Sequence, residues 1–372
     1  MDPMEGASGV EQALLRAAAA NETPLSGSLE LTPLCNMNCK MCYVRLSRAE
    51  QERLAPLRTA AEWCALGEEM QRAGTLFLLL TGGEPLLHPG FRDIYTHLRR
   101  LGMILSVNTN GTLIDEDWAD FFAANRPRRI NITLYGADDR AYRDLCGFPG
   151  GFDRVIRAVK LLRARNVDVK LSCSLTRDNL PDLDRIHAIG RDLGVPVRAD
   201  PYMLPATRER GRPFAEQARL LPEEAAEASV RSLRDEMGPE LFRQFREKSL
   251  WEFEHIIPGP EEPGPMTCRA GSCSFSVNWQ GELHPCVLLT SPAAPVFESG
   301  FAAGWQHLRD ELRKVRISAR CSACRLRPLC RVCAAACLFE TGSYLGTPDY
   351  LCRCTEEVLR RLTAAGEEDR HD

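Results

Sequence analysis

The sequence predicts an α/β fold: a parallel sheet covered by helices, followed by a small cysteine-rich α+β domain. Two observations indicate this arrangement. Six short runs typical of strands alternate with helical patterns in the first 205 residues, and ten of the 16 cysteines lie between Cys268 and Cys354. Strands that alternate with helices form βα units and therefore a parallel sheet. A partial or full β/α barrel and an open doubly wound sheet both fit this pattern.

The elements of the sheet follow one another regularly along the chain. Apolar runs predict strands at residues 29–32, 75–80, 104–108, 129–134, 167–175 and 195–202. Apolar residues at three- and four-residue spacing predict helices at residues 12–20, 60–72, 91–101, 116–123, 152–165 and 181–193. A further amphipathic helix is predicted over residues 222–255, and the Pro- and Gly-rich stretch 258–265 after it is typical of a linker.

These patterns divide the chain into five segments. We expect an N-terminal extension (1–25), a core sheet (26–205), a helical bridge with the linker (206–265), a cysteine-rich domain (266–360) and a polar tail (361–372). The cysteine-rich segment has little regular periodicity, so metal would have to compensate for a thin core.

The bulk composition argues against several classes of protein. A net charge of -4 over 372 residues and a pI near 6.1 offer no bulk attraction for nucleic acid or an anionic membrane. The longest apolar run, residues 76–80, is far shorter than the roughly 18 residues of a membrane span. The N-terminus lacks the features of a signal peptide, so we expect a cytoplasmic protein. In such a reducing compartment, clustered cysteines bind metal more often than they form disulfides.

A first cysteine motif follows the first predicted strand. Cys35, Cys39 and Cys42 form a CxxxCxxC pattern, with the aromatic Tyr43 directly after it. Three thiolates are one fewer than a closed 4Fe-4S cluster requires, so one iron would stay open for another ligand. A zinc site completed by a distant fourth ligand is the alternative. The position after strand one favours an active site, because such sites lie at the C-terminal ends of parallel strands.

A second motif, Gly-Gly-Glu-Pro at residues 82–85, follows the second predicted strand. Its glycines permit a close approach of backbone to ligand, and Glu84 can accept hydrogen bonds from an ammonium group. CxxxCxxC followed one βα unit later by GGEP resembles the radical S-adenosylmethionine (SAM) superfamily over residues 26–205. The resemblance implies a partial (β/α)6 barrel in which the three cysteines hold a 4Fe-4S cluster and its open iron binds SAM.

The resemblance also implies that SAM contacts eight further residues: Tyr43, Gly82, Gly83, Glu84, Pro85, Asn108, Asn110 and Thr133. Glu84 would accept the methionyl amino group. Asn108 and Asn110, at the end of the third strand, and Thr133, near the end of the fourth, would reach the ribose or the carboxylate. Strand-end caps and turns explain these last three residues equally well.

The C-terminal cysteines resemble a second family pattern. Gly281 and Cys286 form GxxxxC, and a run from Cys321 to Cys333 is followed by Cys352. This resembles the SPASM domain, a C-terminal extension of many radical SAM enzymes that typically holds two auxiliary 4Fe-4S clusters. The resemblance implies two sets of metal ligands: Cys268, Cys273, Cys286 and Cys333 for one cluster, and Cys321, Cys324, Cys330 and Cys352 for the other.

Several cysteine assignments stay open at this stage. Two residues separate Cys330 from Cys333 where the family pattern has three, so Cys337 could replace Cys333 as a ligand. Cys337 and Cys354 are otherwise spare: structural, redox-active or alternative ligands. Two tetrahedral zinc sites could also use eight thiolates. We expect the three isolated cysteines to be buried small apolar residues: Cys64, Cys146 and Cys173.

The resemblance implies an oxidoreductase that reductively cleaves SAM to a 5′-deoxyadenosyl radical, which abstracts a substrate hydrogen. Radical SAM enzymes with SPASM domains often crosslink or oxidise side chains of ribosomally made peptides, through thioether or carbon–carbon bonds. Three alternatives are a radical dehydrogenase or epimerase of a small molecule, a sulfatase-maturing enzyme and a non-catalytic electron-transfer protein. Val287 argues against the second, because those enzymes usually carry an acidic residue there. The intact GGEP motif argues against the third.

The expected partners are a precursor peptide and a reductant such as flavodoxin or ferredoxin. About 28 residues precede the first strand, too few for the winged-helix domain that binds a leader peptide in many relatives. We therefore expect a separate recognition protein or direct docking. The catalytic residues are not identified by the sequence; polar candidates are Arg198, Asp200, Tyr202, Glu282 and His284.

Overall fold

The structure, a computed structural model, describes residues 9–204, 218–330 and 333–368. Its strands are β1 Ser26–Glu30, β2 Phe77–Thr81, β3 Ile104–Thr109, β4 Arg129–Thr133, β5 Val169–Ser174, β6 Val197–Asp200, β7 Gly264–Pro265, β8 Ser274–Val277, β9 Glu282–His284, β10 Ala294–Pro295 and β11 Arg316–Ile317. The helices of the first half are α1 Gly9–Ala20, α2 Arg48–Leu54, α3 Ala60–Arg72, α4 Phe91–Arg100, α5 Glu116–Ala124, α6 Asp139–Asp144, α7 Gly151–Ala164 and α8 Leu183–Leu193. Those of the second half are α9 Pro222–His255, α10 Val296–Ser299, α11 Phe301–Leu312, α12 Ala319–Ser322, α13 Ala334–Thr341 and α14 Asp349–Glu368.

Strands β1 to β6 form a parallel sheet in which each strand lies beside its neighbours in sequence. A doubly wound sheet reverses its strand order at a switch point, and this sheet does not. The order therefore selects the partial β/α barrel from the two arrangements that the sequence left open. The predicted α/β class is confirmed, and all six strands occur within a few residues of their predicted bounds.

The helices around the sheet begin where the sequence supplies capping residues. Ser47 and Thr59 each form a capping box, with Glu50 and Glu62 respectively, at the start of α2 and α3. Asp115 accepts a hydrogen bond from the backbone N–H of Trp118 at the start of α5. None of the helices in the described ranges combines the length and apolar character that a membrane span needs.

The cysteine-rich segment continues the same sheet. β8 pairs in parallel with β1, and β9 and β10 extend the sheet further by antiparallel pairing, so that it has nine strands. The hydroxyls of Ser28 and Ser276 lie 3.0 Å apart across the join. A Cβ on Gly27 would lie 2.3 Å from the ring of Phe275, so glycine is required for this close approach. The sequence did not indicate the join, because β8 has only four residues and its pairing is non-local.

The bridge and the C-terminal end of the chain pack together as two long helices. α9 contains a break at Gly238, where φ is 72°, directly before Pro239. α14 lies against α9, and the ion pairs Arg353–Glu223 (2.9 Å) and Arg361–Glu227 (3.3 Å) join the two helices. The helix reaches Glu368, so the predicted polar tail from residue 361 is helical over most of its length. The predicted boundary at residue 205 lies outside the described residues.

The N-terminal extension is part of the packed structure. Leu15 and Ala18 of α1 form a small apolar cluster with Leu25 and Phe77 at the start of β1 and β2. The carbonyl of Glu22 accepts a hydrogen bond from Trp305 Nε1 at 2.9 Å. The extension therefore covers the end of the sheet opposite to the C-terminal strand ends.

Candidate functional site

The cysteine loop after β1 packs directly on the Gly-Gly-Glu-Pro turn after β2. The N–H of Gly83 donates to the carbonyl of Thr32 at 2.7 Å, and the N–H of Glu84 donates to the carbonyl of Leu34 at 2.8 Å. A Cβ on Gly83 would lie 2.5 Å from the Leu34 oxygen, and Gly82 has φ of +145°. The two glycines thus allow the GGEP turn to pack closely on the backbone up to Leu34, the residue immediately before Cys35.

Glu84 is fully buried between the ends of β2 and β3. Its carboxylate accepts hydrogen bonds from the hydroxyl of Thr109 (2.9 Å) and from the backbone N–H groups of Asn110 (2.8 Å) and Leu86 (3.1 Å). Burial raises the pKa of Glu84 to about 7 against the opposing effect of these bonds. A carboxylate has about four acceptor positions, so capacity is left for one more donor, such as an ammonium group.

Asn110 links this carboxylate to the cysteine loop. Its side-chain amide donates to Asn36 Oδ1 at 2.8 Å and lies 3.6 Å from the sulfur of Cys35. Its own oxygen accepts from the hydroxyl of Thr112 at 2.7 Å, and that hydroxyl also accepts from Asn36 Nδ2 at 2.8 Å. The Asn110 side chain is therefore held in one orientation at the end of β3.

The sulfurs of Cys35 and Cys42 accept hydrogen bonds from the backbone. The N–H of Met37 lies 3.4 Å from Cys35 Sγ, and the N–H of Arg45 lies 3.2 Å from Cys42 Sγ. Burial and the charge of Glu84 raise the pKa of Cys35 to about 12. A free thiolate is thus disfavoured at Cys35, and a bound positive centre would be needed to stabilise one.

Cys39 takes hydrogen bonds from two side chains, one after β4 and one after α6. The Cys146 thiol and the Tyr135 hydroxyl both bond to its sulfur, and these bonds lower the pKa of Cys39. The backbone fixes the approach: the N–H of Asn38 donates to the carbonyl of Cys146 at 2.8 Å, and that of Lys40 to the carbonyl of Leu145 at 2.9 Å. Cys146 is fully buried, as predicted, but its thiol also forms a hydrogen bond and so does more than fill apolar space.

The donor set fits an iron–sulfur cluster better than a single metal ion. In the described residues, no three His, Cys, Asp or Glu side chains converge on one point as a single ion requires. Each cysteine of a 4Fe-4S cluster binds its own iron atom, so the ligand sulfurs are spaced more widely. Hydrogen bonds to each of the three sulfurs are also the usual surroundings of cluster-bound thiolates.

Two predicted SAM contacts, Asn108 and Thr133, have partners outside this network. Asn108 accepts a hydrogen bond from Asn131 Nδ2 at 2.8 Å, one step further down the sheet than Asn110. The carbonyl of Thr133 is 3.5 Å from the Tyr142 hydroxyl. Tyr43 is half-buried beside Cys42, and Pro85 starts a single 3-10 turn after Glu84. Of the predicted residues, the structure brings together the three cysteines, the GGEP turn and Asn110.

Four of the C-terminal cysteines form one neighbourhood. The pKa of Cys352 is raised to about 11 by burial and by the nearby charges of Cys321, Cys330 and Cys324. The pKa of Cys330 is raised by burial and by Cys324 and Cys321. These four residues are the set that the sequence assigned to one auxiliary cluster.

Three cysteines of the other predicted set lie near one another. Burial and the charges of Cys333 and Cys268 raise the pKa of Cys286, so these three thiols are neighbours. Cys273, the fourth of the set, is fully buried in the apolar cluster of α1 with Leu15. The side chain of Cys273 is covered by the N-terminal helix, which sequence motifs alone did not indicate.

The two spare cysteines differ in their surroundings. Cys337 is buried at the start of α13, and its thiol hydrogen-bonds to Cys321, which lowers the pKa of Cys321 to about 6. Cys337 thus lies in the neighbourhood of Cys321, and the nearby charges of Cys333 and Cys330 also raise its pKa. Cys354 is buried in the core beside Tyr350. Cys173 is buried too, whereas Cys64 is partly exposed on α3.

Comparison with known proteins decides the family. Residues 29–186 match the profile of the Radical SAM superfamily, and this range contains both the cysteine loop and the GGEP turn. These residues are a radical SAM domain. Radical SAM enzymes use SAM and a 4Fe-4S cluster, which agrees with the predicted cofactors, and the donor set at Cys35, Cys39 and Cys42 fits that use.

Relatives of this radical SAM chain extend through the cysteine-rich segment. The AdoMet-dependent heme synthase of Methanosarcina barkeri is 25% identical over 346 residues, covering 89% of this chain and 97% of that protein. The PqqA peptide cyclase of Gluconobacter oxydans is 26% identical, covering 71% of this chain and 70% of that protein. The crystal structure of Streptococcus suis SuiB bound to precursor peptide SuiA has a TM-score of 0.65 at 16% identity, covering 91% of this chain and 78% of that chain. At 16% identity, the similarity to SuiB shows a shared fold only.

The sequence missed several residues of the radical SAM site. Thr109 and Thr112 lie beside Asn110 in the same strand-end turn, where polar side chains were already expected, so their involvement could have been found. Tyr135 and Cys146 had no such signal, because neither lies in a recognised motif. The pairing of residues 38–40 with residues 145–146 brings Cys146 to Cys39, and Tyr135 approaches Cys39 separately from the end of β4.

Proposed function

We propose that this radical SAM enzyme crosslinks or oxidises side chains of a ribosomally synthesised precursor peptide. The observation that carries the proposal is the presence of two further cysteine neighbourhoods on a segment whose strands continue the sheet of the radical SAM domain. The relatedness to a peptide cyclase supports it, since that similarity extends over 71% of this chain. The likeness in fold to SuiB, which has been solved with its precursor peptide, agrees with it.

The electron balance of such a reaction explains why a second cysteine-rich region is useful. Forming a new bond between two peptide groups removes two hydrogens. One would leave as a hydrogen atom, removed by the radical chemistry that a cluster held by Cys35, Cys39 and Cys42 would supply together with SAM. The other would leave as a proton and an electron. The cysteines of the Cys268 and Cys321 neighbourhoods would hold clusters able to accept that electron.

The residues of the chain have separate tasks in this proposal. Glu84 accepts the amino group of SAM, because its buried carboxylate keeps one acceptor position after binding three protein donors. Asn110 holds the cysteine loop in register with Glu84 through Asn36 and Cys35. Arg198 and Asp200 lie on β6, the last strand of the sheet, where they would meet a substrate that enters from the open edge.

Iron and acid-labile sulfide per chain test the cofactor assignment after anaerobic reconstitution. Wild type is compared with the Cys35→Ala/Cys39→Ala/Cys42→Ala triple variant. A fall from about twelve to about eight irons supports one SAM-binding and two auxiliary 4Fe-4S clusters. A fall from about four irons to none, with zinc present, contradicts the auxiliary clusters and removes the main support for peptide maturation.

The substrate class is tested with peptides encoded by short open reading frames beside the gene. Reconstituted enzyme, SAM and either dithionite or a flavodoxin or ferredoxin system are incubated with each peptide. We expect 5′-deoxyadenosine and a peptide lighter by 2 Da per crosslink in mass spectrometry. We also propose that a separate recognition protein presents the leader; adding such a protein, if the locus encodes one, should raise turnover.

Heme synthesis is the second candidate, and the similarity to the Methanosarcina barkeri heme synthase along 97% of that protein favours it. Iron-bound tetrapyrrole precursors that carry carboxylate side chains are the matching probes. Formation of 5′-deoxyadenosine together with a heme absorption spectrum, and no mass change in any neighbouring peptide, would select this function over peptide maturation.

A further inference from the structure

The three sulfurs of the CxxxCxxC motif differ in the groups that hydrogen-bond to them. Cys35 and Cys42 each accept a backbone N–H, from Met37 and Arg45. Cys39 differs, because two of its donors are side chains: the thiol of Cys146 and the hydroxyl of Tyr135. Side-chain donors can be removed by substitution, whereas backbone donors cannot.

The contact between Cys39 and Cys146 is fixed by the backbone on both sides. The N–H groups of Asn38 and Lys40 donate to the carbonyls of Cys146 and Leu145, at 2.8 and 2.9 Å. Cys39 lies between Asn38 and Lys40 in the chain, so these two bonds bring the side chains of Cys39 and Cys146 close together. Cys146 is 0% exposed, which keeps water away from the pair.

Tyr135 is held by contacts to its backbone and to its ring. The Asn179 side chain donates to the carbonyl of Tyr135 at 2.9 Å, and the ring lies edge-on to Tyr142 with centroids 5.9 Å apart. These contacts position the ring at the end of β4, from which its hydroxyl reaches Cys39. The donors therefore come from two different places, the end of β4 and the loop after α6.

A donor beside a cluster ligand changes how easily the cluster accepts an electron. Reduction increases the negative charge on the ligand sulfurs, so a hydrogen-bond donor stabilises the reduced form more than the oxidised form. The cluster must be reduced before SAM is cleaved, and in a water-free site such a bond is not replaced by solvent when it is lost.

We propose that Cys146 and Tyr135 are positioning residues that donate hydrogen bonds to the cluster-bound sulfur of Cys39 and thereby raise the reduction potential of the SAM-binding cluster. The inference rests on the proposed ligand set of Cys35, Cys39 and Cys42. Neither residue needs to contact SAM or the substrate for this role.

The test is an EPR-monitored redox titration of the reconstituted enzyme in poised, anaerobic samples. The SAM-binding cluster is identified as the reduced signal that changes on addition of SAM, which separates it from the auxiliary clusters. We expect Cys146→Ala and Tyr135→Phe each to lower the ratio of reduced to oxidised cluster about fivefold at a given potential, the size of one ordinary hydrogen bond. Cys146→Ser keeps a donor and should return most of the wild-type ratio.

Cys64→Ser is the control. Cys64 lies partly exposed on α3, where its thiol is near the charges of Asp93 and Glu68 and outside the network of Cys39, Cys146 and Tyr135. We expect its titration to match wild type. Unchanged ratios in both Cys146→Ala and Tyr135→Phe, with full iron content, would overturn the proposal, as would an equal shift in the control.

Iron content separates this inference from the ligand assignment. If the Cys35/Cys39/Cys42 triple variant keeps all its iron, the ligand set itself is wrong. If Cys146→Ala and Cys146→Ser both lose about four irons, the contact is needed for assembly and the potential-tuning role is rejected. The potential-tuning role is supported only if Cys146→Ala keeps its full iron content and lowers the ratio of reduced to oxidised cluster, and if Cys146→Ser restores that ratio.

Discussion

The backbone N–H of Asn110 donates to the carboxylate of Glu84 at 2.8 Å, while the side chain of the same asparagine reaches the sulfur of Cys35 at 3.6 Å. One residue at the end of β3 therefore contacts both motifs of the radical SAM site. This relationship ties the geometry of the proposed amino-group acceptor to that of the cluster loop.

Replacing Asn110 with alanine tests this link. The backbone bond to Glu84 stays, but the side-chain bonds to Asn36 and Cys35 are lost, at about 1 kcal/mol each. We expect SAM cleavage, measured as 5′-deoxyadenosine formed per minute, to fall at least tenfold with little change in iron content. Asn21→Ala is the control, because that exposed side chain bonds to the carbonyl of Ala17, outside the site. Equal effects of the two variants would contradict the link.

Glu84 should make SAM binding depend on pH. Burial raises its pKa from 4.5 to about 7 in the unliganded protein. The neutral carboxyl thus contributes stability to the fold that is fully present below about pH 4.5 and lost as the pH rises through about 7. SAM binding requires the ionised form, so we expect SAM affinity in equilibrium dialysis to increase between about pH 6 and pH 8.

The variant Glu84→Gln removes the titrating group without changing its size. We expect SAM affinity at pH 8 to fall at least tenfold, since hydrogen bonds to charged groups contribute about 1.5–3 kcal/mol. The remaining affinity should no longer vary over this pH range. A pH dependence that persists in this variant would assign it to another group.

Iron content after single substitutions tests the auxiliary ligands. We expect Cys333→Ala and Cys286→Ala each to lose about four irons, since both lie near Cys268. Cys337→Ala and Cys273→Ala should retain them, because Cys337 bonds to Cys321 and Cys273 is packed against α1. Loss of a cluster in Cys273→Ala would mean that this cysteine turns out of its apolar cluster to bind iron.

A methyl group at Gly83 should disturb the cysteine loop. Its Cβ would lie 2.5 Å from the carbonyl oxygen of Leu34, and the backbone fixes the positions of both atoms. We expect Gly83→Ala to lower the free energy of unfolding by about 1–3 kcal/mol in urea titrations and to weaken cluster binding. Gly9→Ala is the control, because its Cβ has no neighbour within 4 Å. This variant should change the free energy of unfolding by less than about 0.5 kcal/mol.

Local patterns predicted the six strands of the first half of the molecule and its described helices apart from α2 and α6. The predicted bounds of α3 agree with the structure, and the CxxxCxxC and GGEP motifs meet as expected because both follow neighbouring parallel strands. Contacts between distant segments could not be predicted in this way. The pairing of β8 with β1, the burial of Cys273 under α1 and the approach of Cys146 to Cys39 all depend on tertiary packing, and no periodicity or spacing records them.

The pairing of β1 with β8 restricts how this protein can be divided. A fragment that ends before β8 would expose one whole edge of β1, Ser26–Glu30, in the middle of what is now a nine-stranded sheet. Unprotected strand edges recruit other chains and aggregate. Expression of the radical SAM domain alone should therefore give insoluble protein, and chimeras that exchange the cysteine-rich segment between relatives will need to carry β1 and its partner together.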